Sequence, residues 1–332
     1  VYWGSKLACL EMIKSGTTFF NDMYWHPVAT ARAASEMGIR AAISGVFFDF
    51  DNTEKYREQI IKNEKLLSHF GKHFPSVQFT LGPHAIYTVS KQGLQWVSDF
   101  AHANHLMIQI HVSETQDEVN NCVRVHGMRP IEYLDSIGFF KAKVLAVHSI
   151  WLSDKEIQII AANQVTPVYN PASNLKLASG IAFPYPTLIK YGVKPILGTD
   201  GCSSNNHLDM FATMKMAALI QKGLHNNPAI LPAQAIFDMA TVHAAKAFNM
   251  PMGSIKPGNL ADLCLINLSL PELTPCHHLV SNLVYAANGS CVDTVICNGK
   301  IIMQNRRVEG EAEILKQCNK IAFDLPNRKT KT

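Results

Sequence analysis

The chain has 332 residues, 47% of them hydrophobic and 17% charged, with a formal net charge of +4. That length can bury a barrel-sized core with a smaller domain beside it, and the scattered charge offers no basic face for nucleic acid. No apolar run reaches the ~18 residues of a membrane span, no signal peptide opens the chain, and eight cysteines without a CxxC pair fit a reduced, cytoplasmic protein.

Residues 3–14 (WGSKLACLEMIK) have the spacing of an amphipathic helix. A chain that starts on Val1 in such a stretch is expected to begin inside a domain. Strand-like and helical segments then alternate. The strands are expected over 16–24, 39–49, 77–84, 107–115, 143–149, 165–171 and 193–201. Helices are expected over 27–38, 56–71, 90–105, 115–126, 130–137, 153–164 and 185–192. Apolar strands separated by helices predict a parallel sheet covered by helices. No glycine-rich phosphate loop follows any strand, which removes the main support for a nucleotide-binding fold.

The polar residues collect at strand ends: Asp22, Asp49, His84, His111, His148, Asn170 and Asp200. A (β/α)8 barrel builds its site there, whereas a doubly wound sheet uses one crevice. The predicted fold is therefore an α/β barrel of the TIM type with seven strands present and the first expected before Val1. After residue 250, Gly turns separate short β segments at 253–268 and 292–308, predicting the C-terminal part of a small β-sandwich domain. The expected division is a barrel over 1–249, the small domain over 250–309, and a terminal helix with a frayed tail over 310–332.

His111, His148 and Asp200 form a candidate metal set: two imidazoles and a carboxylate suit a borderline divalent ion. Glu114 lies three residues past His111, where it could work as a general acid and base without ligating. Singly, each has an ordinary role: a hydrogen-bonded strand-end histidine, a turn aspartate, a helix-capping glutamate. Together, at the ends of successive strands, they point to chemistry.

The segments GPHAIYTVS (82–90), IHVSET (110–115), LAVHS (145–149), NPASNLKLASG (170–180), LGTDGCSSNN (197–206) and GSIKPGNLADL (253–263) resemble the amidohydrolase superfamily. Within it they are similar to the methylthioadenosine/S-adenosylhomocysteine deaminases and their triazine-hydrolase relatives. The resemblance implies one divalent ion per subunit, zinc or alternatively iron, held by His111, His148 and Asp200. It implies that Glu114 shuttles protons, that Asp200 accepts one, and that His148 polarises the attacking oxygen. His84, Glu114, Ser204 and Arg57 would touch substrate, and Asn174 would be a structural polar residue near the pocket floor. The implied reaction is hydrolytic deamination of an aminopurine nucleoside, with release of ammonia. A triazine, guanine-like or pterin ring stays open as substrate, as does a non-catalytic scaffold of the same fold. No H-x-H pair occurs in the sequence, so the two ligands that the family carries on its first strand are expected before Val1. Nucleic-acid and membrane partners are not expected, and homo-oligomerisation is left open.

Overall fold

The computed structural model describes residues 1–328. The first half of the chain runs α1 (Tyr2–Lys14), β1 (Phe19–Asp22), α2 (Pro27–Met37), β2 (Arg40–Phe47), α3 (Thr53–His73), β3 (Val77–Pro83), α4 (Lys91–Ala103), β4 (Ile108–Val112), α5 (Gln116–His126) and α6 (Pro130–Ser136). It continues with β5 (Val144–His148), α7 (Asp154–Ala162), β6 (Thr166–Tyr169), α8 (Pro171–Lys176), α9 (Tyr185–Lys190), β7 (Ile196–Leu197), α10 (Cys202–Asn205), α11 (Met210–Leu224), α12 (Ala233–Ala240) and α13 (Val242–Ala247). The remainder is β8 (Leu263–Ile266), α14 (Leu279–Tyr285), β9 (Val292–Cys297), β10 (Lys300–Met303) and α15 (Glu311–Arg328). Of the expected tail, residues 329–332 lie outside the described residues.

Strands β1 to β7 form one parallel sheet in chain order, the curled sheet of a TIM-type barrel. β1 and β7 do not pair with each other, so each has one free edge among the described residues. The helices start and stop on local signals. Ser90, Thr115 and Ser153 cap α4, α5 and α7 by accepting a backbone N–H, and Gly38 ends α2 at a φ of 72°.

Side-chain parity divides the strands into two cores. Ile43, Leu81, Ile108, Ile110, Val144 and Ala146 face the helices. Ala42, Leu145, Val147, Val168 and Ile196 face inward, where Phe248 and Phe19 plug the bottom, ring centroids 4.6 Å apart. Above this apolar floor lies a polar layer, in which Ser44 bonds Thr80 at 2.8 Å and Asn21 bonds Gln109. The inward positions above that layer carry the candidate site.

The C-terminal part of the small domain is a three-stranded antiparallel sheet, order β10-β9-β8. Helix α1 packs on β9 and β10, and α14 lies between the two expected β segments. One expectation is corrected: the seventh strand is far shorter than 193–201, only Ile196 and Leu197. Beyond them the backbone leaves the ladder, and Asp200 sits at a φ of 59°. No helix among the described residues is long and apolar enough to cross a membrane.

Candidate active site

His111 follows the inward parity of Met107 and Gln109. Its ring lies 5.0 Å from that of His84 and 5.6 Å from that of His148, between centroids. Its Nδ1 is 2.8 Å from the His84 carbonyl, so Nδ1–H donates there and Nε2 keeps its lone pair facing the pocket.

His148 has the wrong parity for the pocket. Val144 and Ala146 face the helices, so a regular strand would send His148 outward too. A φ of 73° at His148, followed by 51° at Ser149, turns the imidazole inward. Left-handed backbone costs a non-glycine residue ~1–3 kcal/mol and persists only when its surroundings fix it. Here three amides do so. Ser149 N–H donates to the Val112 carbonyl at 3.1 Å, and Ile150 and Trp151 N–H both donate to the Ser113 carbonyl at 3.0 Å.

One segment braces three of the site's polar groups, Asp200, His148 and Glu114. In the 173–179 stretch, the Ser173 hydroxyl donates to Asp200 Oδ2 at 2.6 Å. The Asn174 amide meets His148 Nδ1 at 3.1 Å, and the Ser179 hydroxyl donates to Glu114 Oε1 at 3.2 Å. Asn170 begins α8 against Gly198, where an added Cβ would fall 2.3 Å from the Asn170 Oδ1. Only glycine permits that approach of β7 to α8.

Burial, and next the neighbouring His111, push the His84 pKa down to about 4. Burial also pushes His148 down to about 4 against the pull of Asp200, and lowers His111. The imidazoles are neutral at pH 7. Burial raises the Asp200 carboxyl, but bonds from Ser173, Gly201 and Ser204 and the nearby His148 outweigh it, so the net shift is downward. The 3.6 Å contact between His148 Nε2 and Glu114 Oε2 therefore joins a carboxylate to a neutral ring and is no ion pair.

Two imidazoles and a carboxylate are donors of the type that a borderline divalent cation takes. Asn174 Oδ1 is buried without a partner. Turned end for end, the amide sets that oxygen against His148 Nδ1–H, leaving Nε2 as the ligand nitrogen. Among the described residues, no group of three or more His, Cys, Asp or Glu side chains is placed to hold a metal ion without rearrangement.

His84 opens an aromatic wall. Its Nδ1 bonds the Thr88 hydroxyl at 3.0 Å, and its ring lies 4.9 Å from Phe48. Phe48 stacks in turn on Trp25 at 4.9 Å and on Phe50 at 5.8 Å. Trp25 and Phe50 are half exposed, although they lie beside the polar end of the barrel.

The sequence profile of the amidohydrolase family matches residues 1–302. The chain belongs to the amidohydrolase family. It is 45% identical to the 5-methylthioadenosine/S-adenosylhomocysteine deaminase 1 of Archaeoglobus fulgidus, over 98% of this amidohydrolase and 77% of the relative. It is 44% identical to the 5'-deoxyadenosine deaminase of Methanoregula boonei, over 99% and 74% respectively. Among solved structures, a zinc-bound adenosine deaminase from Xanthomonas campestris superposes with a TM-score of 0.91 at 32% identity, covering 98% of this chain and 75% of that one.

Of the residues singled out in the sequence of this amidohydrolase, His84, His111, Glu114, His148 and Asp200 come together. Ser204, in α10, lies beside Asp200 and bonds the Gly201 carbonyl at 3.1 Å. Arg57 is exposed in the second turn of α3. Sequence reasoning missed Ser173, Ser179 and Glu118. The first two belong to NPASNLKLASG, whose density of small polar residues was the available signal. Glu118 lies in the helix-opening run SETQDE, where it reads as an ordinary cap.

Proposed function

We propose that this amidohydrolase is a metal-dependent deaminase of 5'-modified adenine nucleosides, 5'-methylthioadenosine or S-adenosylhomocysteine foremost. The observation that carries the reading is the bracing of Glu114, His148 and Asp200 by one segment, under an aromatic wall that suits a planar ring. The relatives named as deaminases of such nucleosides, at 44–45% identity, support the substrate class.

His111 Nε2, His148 Nε2 and Asp200 would hold one divalent ion, zinc by analogy with the zinc-bound neighbour. Such an ion supplies Lewis acidity, bringing the pKa of water in its coordination sphere towards ~7. The chain's own groups then manage protons and orientation. Asp200, kept ionised by Ser173 and Gly201, accepts a proton from the attacking water. Glu114 takes the other proton of that water and delivers it to the ring nitrogen beside the amino-bearing carbon, which removes aromaticity where attack occurs. Ser179 holds that carboxylate in place. His148 lies 3.6 Å from Glu114, beside the place the attacking oxygen would take. Asp200 returns its proton to the amino group as that bond breaks, nitrogen leaves as ammonia, and the ring keeps the oxygen. His84 packs against the heterocycle.

The test is ammonia release from the purified full chain supplied with Zn²⁺. The panel comprises 5'-methylthioadenosine, S-adenosylhomocysteine, 5'-deoxyadenosine, adenosine, guanine and aminotriazines. Turnover confined to adenine nucleosides is expected. Turnover confined to triazines or guanine would overturn the substrate class.

A further inference from the structure

We propose that Glu118 is the positioning residue of Glu114, clamping the Ser113–Glu114 backbone with its side chain; this rests on Glu114 being the proton-transfer group. Glu118 Oε1 accepts the Ser113 N–H and Oε2 accepts the Glu114 N–H, both at 2.8 Å. A capping-box glutamate at this place would bond the N–H of the cap residue itself, here Thr115. Thr115 N–H does reach Glu118, but as the weakest of the three amides; the two strong bonds go one and two residues further out, onto the segment that carries the acid–base group.

Ser113 is where the clamp matters most. It is buried and left-handed, with a φ of 51°. Its carbonyl accepts the Ile150 and Trp151 amides that fix the turn at His148. One carboxylate thus sets the ends of β4 and β5 together, and with them the 3.6 Å contact of Glu114 with His148. Burial pushes the Glu118 pKa up to about 7, and no cation counters it. A buried carboxyl is a costly way to cap a helix that already has the Thr115 hydroxyl on the Glu118 N–H at 3.1 Å.

Glu118→Ala, Glu118→Gln and Thr115→Ala separate the clamp from the cap. Two readouts are needed: amide hydrogen exchange at residues 113 and 114, and steady-state ammonia release with zinc content measured on each protein. Displacing an acid–base group by ~1 Å costs on the order of 100-fold. Glu118→Ala should therefore lose protection at both amides and lower kcat ~100-fold, with KM within about threefold. Glu118→Gln, which keeps one acceptor oxygen, should fall between it and wild type. Thr115→Ala should melt earlier, yet keep both amides protected and kcat within about threefold. Retained protection in Glu118→Ala, unchanged kcat, or an equal loss in Thr115→Ala would overturn the clamp. If the wild-type chain released ammonia from no substrate, the deaminase reading would fall. The exchange data would still decide the clamp, for it if Glu118→Ala alone lost protection and against it otherwise.

Discussion

Asp49 holds the aromatic wall to the barrel, and its removal gives a sharp prediction. It is fully buried at the end of β2, just before Phe50. Its Oδ1 accepts the Ser90 N–H at 2.7 Å, and its Oδ2 accepts the Ser90 hydroxyl. Helix α4 is seated on the same carboxylate, since an added Cβ at Gly93 would come within 2.6 Å of Oδ2. The loop is tied a second time: Asp49 and Phe50 N–H both donate to the Thr88 carbonyl. Each hydrogen bond to a charged acceptor is worth ~1.5–3 kcal/mol, and truncation leaves the partly buried Ser90 donors without this acceptor. Removing the buried charge returns part of that loss. Asp49→Ala should therefore cost about 3 kcal/mol in urea unfolding, and Asp49→Asn, which keeps the volume and one oxygen, about half as much. Substrate KM should rise in both, because Phe48 and His84 sit on the two loops that Asp49 joins. A loss under ~1 kcal/mol in Asp49→Ala would refute the claim that these bonds hold the loops.

The Glu118 carboxyl, raised by burial from 4.5 to about 7, binds protons in the folded state that the unfolded chain has released. Stability should accordingly fall as pH rises from the unfolded value through 7, by roughly 3 kcal/mol, and urea titrations of Glu118→Gln at pH 5 and pH 8 should show that dependence reduced. Phe48→Ala removes a ring that stacks on Trp25, Phe50 and His84; an aromatic pair is worth ~0.5–1.5 kcal/mol, so KM should rise ~2–12-fold with kcat nearly unchanged. Asn174→Ala frees His148 Nδ1 and should weaken zinc binding ~10–100-fold in calorimetric titration, whereas unchanged affinity would remove Asn174 from the site.

The barrel was legible because its strands are apolar, its helices carry caps, and the two alternate without interruption. The strand-end histidines were legible because an imidazole is out of place after Ile108 and Ile110. What the sequence did not disclose depended on backbone conformation. Simple alternation points His148 away from the pocket, and only the left-handed turns at His148 and Ser149 correct it. Ser173 and Ser179 act through contacts across 27 and 65 positions of chain, which no local pattern records. Helix periodicity leaves Arg57 exposed in α3. After residue 250 the apolar segments between Gly turns disclosed β8, β9 and β10, while α14 between them carried no comparable signal.

The central claim is that Glu114 transfers the proton during deamination, and Glu114→Gln tests it most directly. Glutamine keeps the length of the side chain and an oxygen for the Ser179 hydroxyl, but cannot exchange a proton. Steady-state ammonia release from 5'-methylthioadenosine, with zinc content measured on the same samples, should show kcat reduced by at least ~10²–10⁴-fold and zinc unchanged. Turnover within about threefold of wild type would contradict the account.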